Sequence, residues 1–147
     1  MTRPRYVPLF ASVSHSEKMA DLADDACRLF YLLLLPQCDE WGRCCARPRV
    51  LGATVWPMLQ KSPEETARVL AELQRVGLVE VHRSEDGEYL VVPDWEEKAG
   101  RVGKIDHRRA SEWPDPTNES LVDPVGASPG QSGPVRANAG QSGPSLA

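Results

Sequence analysis

Apolar positions recur at helical spacing in several stretches before residue 96, pass into a hairpin pattern, and almost vanish after residue 113. The clearest stretch is Ser62 to Trp95. Ser62-Pro63-Glu64-Glu65 is a helix start: serine caps free N–H groups, proline fits the first turn, and the glutamates favour the positive end of the helix dipole. Ala67, Leu70, Leu73 and Leu78, with Val69 and Val76 beside them, follow an apolar helical stripe, and Gly77 is a natural stop. Leu78 to Arg83 and Glu88 to Val92 alternate or run apolar like strands, joined across Ser84-Glu85-Asp86-Gly87, where Asp-Gly marks a turn.

Upstream, Arg3 to Val13 is irregular or extended. Ser14, three residues before Glu17, predicts a short helix opened by a capping box. Asp24 or Asp25 then starts a strong helix whose wide apolar surface, Ala26, Cys27, Phe30, Tyr31 and Leu33 to Leu35, predicts burial on several sides. Cys38 to Arg43 is a turn, and Arg43 to Ala46 is a candidate strand that would join the hairpin. Pro48 to Met58 is the next helix, with Val50, Leu51 and Val55 inward, Gly52 as its weak point and Pro57 as its end. Pro93-Asp94-Trp95 closes the domain, with Trp95 packing back on the sheet.

Helices followed by a hairpin predict an α+β fold: a small winged helix-turn-helix domain with a two- to three-stranded wing and a disordered C-terminal tail. The expected divisions are a winged-helix domain over 1–96, a basic arm over 97–112 and a Pro/Gly/Ser-rich tail over 113–147. The tail repeats Gly-Gln-Ser-Gly-Pro at 130 and 140, a flexible-linker composition that cannot bury enough surface to offset its ordering entropy.

The net charge of −4 argues against a globally basic surface and leaves room for a local one. Residues 42–61 hold Arg43, Arg47, Arg49 and Lys61 with no acid, and the stretch from Lys98 to Arg109 is also net positive. No apolar run reaches membrane-spanning length, and the N-terminus lacks the apolar region of a signal peptide, so a cytoplasmic protein with reduced cysteines and no membrane partner is expected.

Several motifs in order resemble the N-terminal winged-helix domain of phage replication proteins, the replisome organisers or DnaD-like initiators. They are Ser16-Glu-Lys-Met-Ala-Asp-Leu, Ala26-Cys-Arg-Leu-Phe-Tyr-Leu-Leu-Leu, and Cys38-Asp-Glu-Trp-Gly-Arg before a basic segment. Leu70-Ala-Glu-Leu-Gln-Arg-Val-Gly-Leu-Val and Val92-Pro-Asp-Trp follow, then Lys104-Ile-Asp-His-Arg. The resemblance covers roughly Tyr6 to Trp113, and its specificity lies in order and spacing rather than in any one motif. It implies a DNA-binding or self-associating module that marks an origin and recruits helicase machinery. In many such proteins a second domain follows the connector. Here a low-complexity segment follows instead, which leaves the DNA-binding or assembly module as the expectation.

The winged-helix reading places Pro63 to Val76 as the helix that would enter the major groove. Its outward residues Glu64, Glu65, Arg68, Glu72 and Arg75 hold more acid than base, so Arg68 and Arg75 either read guanine edges or pair with those glutamates. Arg43, Arg47 and Arg49, at and before a helix start, suit phosphate better. Lys98, Arg101, Lys104, Arg108 and Arg109 form an arm that could lie along a groove. The acidic hairpin tip, Ser84 to Glu88, suits a basic protein partner or a second copy. Cys38, Cys44 and Cys45 lack metal-ligand spacing, Cys27 reads as core, and His82 reads as structural. No phosphate-binding glycine loop, zinc-protease pair or nucleophile elbow occurs, so neither an enzyme nor a metal or other cofactor is expected. The expected function is DNA binding through phosphate contacts in a replication-type protein. The alternatives are a protein-interaction or self-association module in a replication assembly, forming a homo-oligomer or docking on a replication protein, and a transcriptional regulator.

Overall fold

The computed structural model describes residues 7, 9, 11–95 and 110–123. Their order is α1 (Glu17–Ala20), α2 (Asp25–Leu34), β1 (Arg43–Cys45), α3 (Pro48–Val55), α4 (Pro63–Val76), β2 (Glu80–Ser84), β3 (Gly87–Val91) and β4 (Leu121–Val122). The fold is α+β. The sheet is antiparallel throughout, with strand order β1-β3-β2-β4. Single 3-10 turns precede α1, follow α2 and join α3 to α4.

Local chemistry sets the helix ends. Ser62 accepts from the Glu65 amide at 3.1 Å, and Asp24 accepts from the Cys27 amide at 3.1 Å. Gly77 takes φ +84° past the end of α4, and the Leu78 amide returns to the Leu73 carbonyl at 2.9 Å, a Schellman closure. The cap of α1 is Ser16 rather than Ser14, because Ala11–His15 is already coiled as a 3-10 turn. Helix α3 ends at Val55, before Pro57, and Pro57–Leu59 forms a separate 3-10 turn.

The core lies between α2, α3, α4 and one face of the sheet. Phe30, Leu34, Leu51, Val69, Leu73 and Leu90 are fully enclosed, and Trp56 meets Phe30 edge-on with ring centroids 4.7 Å apart. Val50, expected inward, is exposed, since Leu51 and Val55 form the buried side of so short a helix. Thr66 interrupts the apolar stripe of α4 yet is completely buried. Its hydroxyl accepts the Trp56 indole N–H at 3.1 Å. A Cβ on Gly52 would stand 2.7 Å from that hydroxyl. The glycine therefore permits the close approach of α3 to α4 and is not merely a weak helical position.

Strand alternation gives the sheet two faces. Val81, Leu90 and Val92 turn to the helices and join the core. His82 and Tyr89, paired across the hairpin, turn outward and are buried all the same. Their cover is the segment 110–123. Trp113 stacks on Tyr89 at 5.4 Å, and β4 pairs with β2 through Val81↔Val122 and His82↔Leu121. This corrects two expectations. The sheet has four strands rather than two or three, and residues 113–123, expected to begin a disordered tail, pack on it. Residues 124–147 and 96–109 lie outside the described residues. Trp95 closes the domain, buried in the core cluster: its indole lies over Gly42 in the turn before β1 and donates to the Glu40 carbonyl at 3.0 Å.

Candidate nucleic-acid interface

Helix α3 and helix α4 are joined through a 3-10 turn and tied together by the Trp56–Thr66 hydrogen bond. Its cations divide into two groups. On α4, Arg68 reaches Glu65 at 2.8 Å and Asp24 at 3.3 Å. Arg75 reaches Glu72 at 2.9 Å and the Asp21 carbonyl at 2.8 Å. The hydrogen bond from Arg68 holds the Glu65 carboxyl below its ordinary range, and that from Arg75 does the same to Glu72. Both guanidiniums hold their protons more tightly in return, chiefly through the same bonds. Of the two possibilities for Arg68 and Arg75, pairing is the one observed.

The second group is uncommitted. Arg47 and Arg49, both exposed, sit at the start of α3. Lys61, also exposed, ends the turn, with its ammonium 5.7 Å from the centre of the Trp56 ring. Among the described residues, these are the Lys and Arg side chains that form neither a hydrogen bond nor an ion pair. Arg28, Arg83 and Lys18 are tied respectively to Asp25, to Glu88 and to the Gly77 carbonyl. Between Arg49, Lys61 and the start of α4 lies an open hollow of about 140 Å³ that reaches Gly52, Trp56 and Thr66. Lys61 was visible in sequence only as part of the acid-free run. Its nearness to Arg49 comes from the turn, where Gln60 adopts a left-handed conformation with φ +54°.

Arg43 is engaged within the fold. It donates to the Trp113 carbonyl at 2.9 Å and to Asp115 at 3.0 Å, and its side chain is 11% exposed. Its guanidinium is bound to residues some seventy positions away, which no local reading reveals. Lys98, Arg101, Lys104, Arg108 and Arg109 lie outside the described residues.

The hairpin tip is acidic and exposed at Glu85 and Asp86, while Glu88 pairs with Arg83 at 3.1 Å. His82 is held on both ring nitrogens, by Ser120 at 2.7 Å and Glu80 at 3.0 Å. All four cysteines are free thiols. Burial, with Asp24 beside it, pushes the Cys27 thiol up to about 11, so it packs as a neutral group. Among the described residues no three His, Cys, Asp or Glu side chains converge as a metal site would require, and no helix is long and apolar enough to cross a membrane. No family model, curated protein or solved structure matches the chain.

Proposed function

We propose that this chain is a winged-helix DNA-binding module of the kind found in phage replication proteins, acting by binding and not by catalysis. The order α2-β1-α3-α4-β2-β3, with β3 between β1 and β2, supports the winged-helix reading. The observation that carries the DNA reading is the concentration of unpaired cations, Arg47, Arg49 and Lys61, on the rim of α3 and the adjoining turn. Guanidinium forks held near exposed helix-start amides suit phosphate oxygens. DNA would thus be held through its backbone at α3, while the major-groove face of α4 is charge-compensated and gives little base readout.

A salt titration of the full chain against labelled duplex tests this. Affinity is expected to fall linearly on a log–log plot with a slope of roughly −2 or steeper, about 0.9 for each phosphate neutralised. Absence of binding at low salt would refute the reading. The acidic hairpin tip and the compensated face of α4 favour a second one, a module that docks on a protein or on its own copy. Light scattering on the same sample separates the two, since that reading requires a species larger than one chain or a captured partner.

A further inference from the structure

Residues 110–123 cross the outer face of the sheet and close its β2 edge, yet they add little to the core. Val122 packs partly against it, whereas Leu121 is exposed. The remaining attachments are polar or aromatic. Ser111 donates to the Asp39 carboxylate, the Tyr89 hydroxyl donates to the Pro114 carbonyl at 2.9 Å, and the Arg83 amide donates to the Ser120 carbonyl at 2.8 Å. Trp113 stacks on Tyr89, which stacks in turn on His82 at 5.7 Å.

Charge gives this segment a second character. It contains Glu112, Asp115, Glu119 and Asp123 and no Lys, Arg or His. Asp115 is 92% exposed, while the Arg43 guanidinium it holds is nearly buried and keeps an Nε that finds no acceptor among the described residues. The segment supplies both acceptors of the Arg43 guanidinium, which also lies 5.9 Å from the centre of the Trp41 ring in the turn before β1. Arg43 begins β1, and Arg47 and Arg49 follow just beyond the end of that strand.

We propose that residues 110–123 are an autoinhibitory strap: an acidic segment that occupies the place of DNA phosphate on Arg43 and withholds this guanidinium from a duplex held at the α3 rim. The proposal rests on the DNA-binding reading and extends it to regulation of the same surface. Strap and DNA compete for Arg43, so each weakens the other by the same factor. The affinity of the intact chain is reduced in proportion to the fraction of molecules with the strap docked. Release exposes Tyr89 and His82 as well, but leaves the helical core intact.

The test uses the full chain carrying W113A and D115N together, changes outside both the core and the α3 rim. Two quantities are read: hydrogen exchange at the Arg83 amide, whose acceptor belongs to the strap, and duplex affinity as a function of salt. The variant is expected to exchange Arg83 roughly tenfold faster or more, with core amides unchanged. It should bind duplex severalfold more tightly, with a salt slope steeper by about one. Adding R43A should abolish that gain. Faster exchange with unchanged affinity overturns the strap proposal and leaves DNA binding standing. Unchanged exchange overturns it too, because Trp113 and Asp115 would then not hold the strap. Faster exchange with no duplex binding by either protein refutes the DNA reading itself.

Discussion

Replacing Trp56 by alanine is expected to cost about 3–5 kcal/mol, a large share of the roughly 5–15 kcal/mol that holds a domain of this size together. The indole is almost wholly buried at the junction of α3 and its turn, edge-on to Phe30 of α2 and hydrogen-bonded to Thr66 of α4. Its removal opens a cavity among three helices and strips the buried Thr66 hydroxyl of its donor. Trp56→Phe separates the contributions. It keeps an aromatic ring against Phe30 but loses the N–H and part of the indole volume, so it should cost less than alanine, about 1–3 kcal/mol for the unsatisfied group plus a smaller cavity. Urea unfolding of the two variants measures both. Equal losses would mean that ring packing contributes little, contrary to the enclosed geometry.

Gly42→Ala is expected to destabilise by about 2–4 kcal/mol, combining left-handed backbone strain with overpacking. Gly42 sits at φ +78° in the turn before β1, and a Cβ there would stand 2.8 Å from the Trp95 ring. The turn has little room to shift. Asp39 accepts the amides of Trp41 and Arg43 at 2.8 and 3.0 Å, and the Gly42 carbonyl accepts the Val92 amide at 2.9 Å. Displacing Trp95 would also break its bond to the Glu40 carbonyl. In a domain of this size the melting temperature should drop by roughly 10 °C or more. A smaller side chain at 95 in the same background should recover the part due to the clash and none of the part due to φ. An unchanged melting temperature for Gly42→Ala would show that Trp95 does not seat on this turn.

The backbone plan was legible where local chemistry is strong. Ser62-Pro63-Glu64-Glu65 and Gly77 bound α4 as expected, Asp24 caps α2, and the hairpin turns at Glu85-Asp86 ahead of Gly87. Legibility failed where a residue's reason lies far away in sequence. Thr66 looks like a gap in an apolar stripe until Trp56 is found beside it, and Gly52 looks like a flaw until Thr66 is found above it. The strap was hidden for a related reason. Trp113, Leu121 and Val122 are isolated in Pro- and Ser-rich surroundings, and they attach through single rings and carbonyls that hydrophobic periodicity does not register. The candidate site was half legible. The acid-free run of 42–61 located the positive charge, but sequence could not tell a free guanidinium from a committed one. That distinction removes Arg43, Arg68 and Arg75 from the uncommitted set and adds Lys61 beside Arg47 and Arg49.

The most direct test of the central claim compares the double variants R47A/R49A and R68A/R75A with the unaltered chain, titrating labelled duplex over a range of salt. If DNA lies on the α3 rim, R47A/R49A should weaken binding at low salt and flatten the salt slope by roughly two, while R68A/R75A keeps the original slope. The reverse pattern, with loss only in R68A/R75A, would place DNA on α4 and contradict the account.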